Sequence, residues 1–207
     1  DIVAPLVTHP LVKKVTFTGS SKVGWHIQEL ARGKHVTLEL GSNAPNIIFD
    51  DADLQHAASA ITLGGYTFAG QACVSAQRIY VHDAVYDEFV SLLTEKVQQL
   101  QLGDPSEEST QLGPMITEEA AIRAEGWIRE AVSQGAMIRT GGNRYGTLLE
   151  PTILEQVTPN MNVVCSEVFA PIVAILRFTD EEEVIAAAND SKYGLQAGVF
   201  TNDINRA

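Results

Sequence analysis

Cys73 stands in the small-residue stretch Gly70-Gln71-Ala72-Cys73-Val74-Ser75-Ala76-Gln77-Arg78, directly before the β-type run Arg78-Ile79-Tyr80-Val81. As a thiolate it would be a strong nucleophile. Glu39 closes the alternating run Val36-Thr37-Leu38-Glu39-Leu40 and is followed by Gly41-Ser42-Asn43. A carboxylate there can serve as a general base, and in open α/β sheets ligands bind at the carboxyl ends of strands. A third polar candidate, Glu167, lies in a loop before the apolar run Ile172 to Phe178. Each residue also has a plain reading. Unpaired cysteine is ordinarily inert packing, which is the reading taken for Cys165 between Val164 and Ser166. Around Cys73 the neighbours are small and flexible, so packing and reactivity both stay open. A glutamate on the polar face of a strand is ordinarily solvated.

These residues need a scaffold, and its elements are legible. Residues 1–14, with Pro5 and Pro10, read as a loop leading into the strand Val15 to Thr18. Gly19-Ser20-Ser21 turns the chain, and Ser20 or Ser21 caps a helix over 22–31. Such a turn can also offer backbone N–H groups to an anion or ribose; a plain helix cap is the reading favoured. Strands follow over 36–40 and 46–49, then a helix over 54–68. Its Gly64-Gly65 pair suggests close packing or fraying beside the cysteine loop. A helix over 84–101 is marked by Val85, Phe89, Leu92, Leu93, Val97 and Leu100 on one face. Thr117 caps another to Gln134. Strands over 136–139, 150–154 and 172–178, a loop through Cys165 to Pro171, a helix over 180–189 and a strand over 197–201 complete the chain. Alternating strands and helices predict an α/β fold: three layers, a mostly parallel sheet with helices on both faces.

Composition narrows the function. The 207 residues are 45% apolar and 19% charged, enough for a packed core. A net charge of −12 argues against nucleic acid or an acidic membrane surface as partner. No apolar run is long enough to cross a membrane, and no signal peptide is visible. Two cysteines and five scattered histidines, with no CxxC or HExxH spacing, give no disulfide framework and no metal site. They point weakly to a reducing, cytoplasmic compartment. The chain starts at Asp1 rather than Met and ends directly after a strand-like run, so it reads as a piece of a longer protein.

Four motifs occur in order: Phe17-Thr18-Gly19-Ser20, Leu38-Glu39-Leu40-Gly41, Gly70-Gln71-Ala72-Cys73 and Glu167-Val168-Phe169-Ala170-Pro171, with Glu39 34 residues before Cys73. Together they resemble the NAD(P)-dependent aldehyde dehydrogenase superfamily over essentially the whole chain. The resemblance implies that Cys73 attacks an aldehyde and that its backbone N–H helps to hold the resulting alkoxide. It implies that Glu39 activates the water that hydrolyses the thioester to a free acid. It also implies NAD or NADP as cofactor: Glu167 toward the nicotinamide-side ribose, Phe169 beside the ring, Gly19 and Ser20 near the pyrophosphate, Leu40 and Gly41 lining the nicotinamide end. By the same resemblance, residues 1–35 are the tail of the dinucleotide-binding domain and 36–207 a catalytic domain truncated at its C-terminus. This piece is then expected to be inactive by itself, and its parent a homodimer or homotetramer.

Two departures stand out. The family's usual double glycine after the glutamate is Gly41-Ser42 here, and Ala170 replaces its usual glycine in the last motif. Two alternatives remain. A coenzyme A-acylating aldehyde dehydrogenase resembles the chain around the cysteine but typically lacks the glutamate at position 39. A non-catalytic family member kept for structure would be expected to lose the cysteine or the glutamate.

Overall fold

The computed structural model describes residues 3–207. The chain divides into two compact units, with the division after Gly41. The first holds α1 (Val3–Thr8), β1 (Lys14–Thr18), α2 (Ser21–Leu30) and β2 (His35–Glu39). β1 and β2 pair in parallel, with Thr18 opposite Glu39. That pairing places β2 with the residues before it, in the first compact unit.

The loop expected over residues 1–14 contains a helix, although Asp1 and Ile2 lie outside the described residues. Pro5 falls in its first turn, where a missing N–H costs nothing. Val7 is buried with Ile27 and Ala31, and the Lys34 ammonium donates to the carbonyls of Val7 and His9 at the helix end. A lysine from outside the segment thus supplies the C-cap that the local sequence lacks. Ser20 is the N-cap of α2, its Oγ accepting from the Val23 N–H.

The second unit contains β3 (Ala44–Ile48), α3 (Leu54–Tyr66), β4 (Ala76–His82), α4 (Tyr86–Gln98), α5 (Glu118–Ser133), β5 (Met137–Thr140), β6 (Arg144–Tyr145), β7 (Leu148–Leu149), β8 (Thr152–Glu155), α6 (Asn162–Cys165), β9 (Ile172–Phe178), α7 (Glu181–Asn189) and β10 (Gly198–Phe200). Six of the strands form one sheet in the order β10-β3-β4-β9-β8-β5. All its neighbours run parallel except β5 with β8. The fold is therefore α/β with a mostly parallel sheet. β6 and β7 form a separate hairpin closed by Gly146-Thr147.

Strand alternation sorts the core onto two faces. Ile48, Ile79, Val81, Val173 and Ile175 pack with Ile61, Phe89, Leu93 and Ile128 of α3, α4 and α5. Ile47, Phe49, Tyr80 and Phe178 pack with Val184 of α7. Gly65 explains the glycine pair in α3: a Cβ there would lie 2.8 Å from Val173 and 3.2 Å from the Ala76 carbonyl, so the helix lies tight on the sheet.

Arg78 ties the second face together. It is only 2% exposed, and among the described residues no carboxylate is hydrogen-bonded to it; its guanidinium donates to the carbonyls of Asn43, Ala187 and Ala188 and to the Tyr80 hydroxyl, at 2.9–3.2 Å. A cation at the C-terminal end of α7 is favourable, because the last carbonyls there are otherwise unpaired. Arg78→Met would remove that donor from the buried Asn43 carbonyl and the half-buried Ala188 carbonyl at about 1–3 kcal/mol each, while the Tyr80 hydroxyl still donates to the Ala187 carbonyl at 3.2 Å. We expect a loss of at least about 2 kcal/mol in urea unfolding; a loss below about 1 kcal/mol would show that water or repacking replaces the guanidinium.

Candidate functional site

In the second unit the chemistry gathers at the amino ends of three adjacent parallel strands. β3, β4 and β9 are neighbours. Ser42-Asn43 leads into β3, the Cys73 loop into β4, and the segment Glu167 to Pro171 into β9. The carboxyl-end rule that drew attention to Glu39 does not describe this edge: Cys73 and Glu167 sit at the opposite strand ends.

The chain reaches Cys73 through an abrupt stop. α3 ends at Tyr66, short of the expected Phe68, because Phe68, Ala69 and Gly70 all adopt left-handed conformations at φ 53°, 56° and 67°. Two of these are not glycine, and each such residue costs about 1–2 kcal/mol. Tertiary contacts must hold them. Tyr66 is buried and donates its hydroxyl to the Thr152 carbonyl at 3.0 Å. Gln71 donates from Nε2 to the Phe68 carbonyl and accepts at Oε1 from the Ile116 N–H at 2.8 Å. A Cβ on Gly70 would collide with the Ala170 carbonyl. That glycine therefore lets the cysteine loop press directly against the Glu167 segment. Cys73 itself is half-buried in a turn closed by the Ser75 N–H on the Ala72 carbonyl at 3.0 Å.

Glu167 is half-buried, and its Oε1 accepts from the Ser42 N–H at 2.9 Å. Its own N–H donates to the Tyr193 hydroxyl. Val168 is buried between it and Phe169, which is 38% exposed at φ 51°. The left-handed residue of this motif is thus Phe169, and Ala170 keeps an ordinary backbone, which is why an alanine is accepted there. Arg123, over the Trp127 ring at 4.7 Å, donates to the Val168 carbonyl at 2.9 Å. Burial lowers the Arg123 pKa, and the Glu167 charge acts in the opposite direction.

Cys165 corrects an expectation. Read as buried packing, it is exposed at the end of α6 and lines a hollow of about 950 Å³ with Arg78, Tyr80, Arg177, Glu183 and Lys192. Neither Cys73 nor Glu167 lines that hollow.

In the first unit the remaining candidates share one edge. Gly19 and Ser20 follow β1 and Glu39 ends β2, and the Gly19 N–H donates to the Glu39 carbonyl at 3.0 Å. The Glu39 side chain is exposed. A Cβ on Gly19 would lie 2.6 Å from the Phe17 ring, and one on Gly24 would collide with Leu40, so both glycines permit close approach. Leu40 and Gly41 follow directly, half-buried.

Gln71, Gln77, Arg123 and Asn43 were not singled out from sequence. The signal was present for Gln77 and Arg78, two polar residues directly before the β-type run Ile79-Tyr80-Val81, and the structure buries both. Among the described residues no helix is long and apolar enough to cross a membrane, and no group of three or more metal-ligating side chains is found.

Comparison with known proteins identifies the scaffold. The sequence model of the aldehyde dehydrogenase family matches residues 1–207. A 3-sulfolactaldehyde dehydrogenase from Priestia aryabhattai is 49% identical over 196 residues, covering 95% of this chain and 41% of the relative. A betaine aldehyde dehydrogenase from Brucella ovis is 40% identical, covering the whole chain and 44% of the relative. The solved structure of an NADP-dependent glyceraldehyde-3-phosphate dehydrogenase from Bacillus halodurans, complexed with NADP, superposes with a TM-score of 0.96. It is 42% identical and covers all of this chain and 43% of its own. The chain thus spans less than half the length of these relatives. With a family match from the first residue to the last and a fold of the same topology, the chain belongs to the aldehyde dehydrogenase family.

Proposed function

We propose that the enzyme carrying this chain oxidises an aldehyde to a carboxylic acid with NAD or NADP, using Cys73 as nucleophile and Glu39 as the base for hydrolysis. The observation that carries this reading is the packing of the cysteine loop on the Glu167 segment, with Gly70 against the Ala170 carbonyl at adjoining strand ends. A reactive sulfur and a cofactor-binding carboxylate are then built into one rigid edge.

The Cys73 thiolate adds to the aldehyde carbon, and the carbonyl oxygen becomes an alkoxide that the Cys73 N–H helps to stabilise. NAD or NADP, when bound, supplies the acceptor for the hydride that leaves this carbon. Glu39 takes a proton from water, the hydroxide adds to the thioester carbon, the C–S bond breaks, and the acid leaves with the Cys73 thiolate restored. The donor set suits the cofactor. Glu167 offers a carboxylate whose Oε2 has no protein donor among the described residues, so it can accept from a ribose hydroxyl. Phe169 offers an exposed ring, and the N-terminus of α2, directly after Gly19-Ser20, offers the first-turn backbone N–H groups that Ser20 does not cap, which suit a pyrophosphate.

The deciding experiment follows reduced cofactor at 340 nm in the full-length enzyme. The aldehyde panel includes 3-sulfolactaldehyde, betaine aldehyde and glyceraldehyde 3-phosphate, with NAD or NADP, with and without coenzyme A. Turnover independent of coenzyme A is the expected result and would give substrate and cofactor together. Turnover that requires coenzyme A would place the enzyme in the acylating branch and remove the role of Glu39.

A further inference from the structure

Gln77 lies on β4, four residues after Cys73, and is only 5% exposed. Its amide is used at both ends. Nε2 donates to the carbonyls of Ser166 at 2.7 Å and Val163 at 3.2 Å, and Oε1 accepts from the Val168 N–H at 3.0 Å. These partners lie 86–91 residues further along the chain, on the segment that carries Glu167 and Phe169. Val168 is then held at its N–H by Gln77, at its carbonyl by Arg123, and at its side chain by the core. With the middle residue held at three points, its neighbours on either side have little freedom. Phe169 needs that restraint, because a left-handed phenylalanine persists only where its surroundings over-determine it.

We propose that Gln77 is a positioning residue for the cofactor: it couples the strand that follows the nucleophile to the segment presenting Glu167 and Phe169, and so sets cofactor affinity through them. The proposal rests on Glu167 being a cofactor ligand. A glutamine suits the place because a single side chain must donate to two carbonyls and accept from one N–H. Asparagine is too short, methionine fills the volume without the bonds, and ionised glutamate cannot donate.

The test uses the full-length enzyme and the variants Gln77→Met, Gln77→Glu and Glu167→Gln, alone and with Gln77→Met and Glu167→Gln combined. The first readout is direct binding: the dissociation constant for NAD or NADP from quenching of intrinsic fluorescence, without substrate. The second is the rate at which iodoacetamide alkylates Cys73 in the absence of cofactor. Gln77→Met is expected to weaken cofactor binding about tenfold while alkylation stays within about twofold, and to add less than about twofold in the Glu167→Gln background. Gln77→Glu reports even if the methionine variant does not fold. A protonated glutamate can donate to Ser166 and accept from Val168, so its defect relative to the parent enzyme should shrink as pH falls from about 8 to about 5.

Three results would overturn the proposal. One is cofactor binding by Gln77→Met within twofold of the parent. Another is a full tenfold loss persisting on top of Glu167→Gln. The third is a Gln77→Glu defect that does not change with pH. If Glu167→Gln itself leaves cofactor binding unchanged, the assignment of Glu167 fails and this proposal falls with it. A normal Glu167 effect beside a silent Gln77 removes only the coupling.

Discussion

Replacing Cys73 by serine is expected to lower kcat/KM for aldehyde oxidation at least about 10⁴-fold, the scale seen when a covalent nucleophile is removed. A hydroxyl fills nearly the same volume but is a poor nucleophile near neutral pH without an adjacent base. Folding should be unaffected. The bonds that shape the loop come from Gln71, from the Ser75 N–H and from the Gly70 contact, not from the sulfur. Cys165→Ser is the matched control. That thiol is exposed at the end of α6, so stability should change by less than about 0.5 kcal/mol and turnover hardly at all. The measurement is initial rate at saturating and limiting aldehyde for the parent and both variants, with urea unfolding alongside. Retention of a tenth of the parent rate by Cys73→Ser would remove Cys73 from the nucleophile's place.

Glu39→Gln is expected to separate the two halves of the reaction. The amide keeps the size of the side chain but cannot take a proton from water, so steady-state turnover should fall about 10²–10⁴-fold. Attack by Cys73 does not need the carboxylate, so a first turnover should still form the thioester. Rapid quenching followed by intact mass should then find the enzyme carrying one acyl group, which digestion places on Cys73. Fold-level damage is not expected. Glu39 is exposed at the end of β2, and the contacts that anchor that edge are the Gly19 N–H on its backbone carbonyl and the packing of Leu40 against Gly24. Unchanged turnover, or a loss of turnover with no accumulated thioester, would assign the base to another group.

Much of the scaffold was legible from the sequence, and for a local reason. The apolar run Ile172 to Phe178, the helix caps at Ser20, Thr117 and Asp180, and the stripe from Phe89 to Val97 each record their structure within a few residues. Periodicity and capping are short-range properties, so α/β alternation could be read directly. The candidate residues could be picked out too, because Cys73 and Glu39 sit in stretches of unusual composition and the four motifs stand in a fixed order.

What escaped the sequence depends on partners far along the chain. The helix over Val3–Thr8 is finished by Lys34. Phe68 and Ala69 turn left-handed at a place where local propensity continues the helix, in a loop that Gln71 ties to Ile116 and Gly70 presses against Ala170. Cys165 is exposed though its apolar neighbours suggested burial, because Val163 and Val164 take the inward positions of that short helix. The working edge shows the same division. Sequence alone determined which side chains can do chemistry and which strand each precedes or ends. Only the tertiary structure decided that β3, β4 and β9 lie side by side, so that Ser42 bonds Glu167 across 125 residues and Gln77 holds the backbone on either side of it. Strand order is set by which faces bury together, and no window of neighbouring residues contains that information.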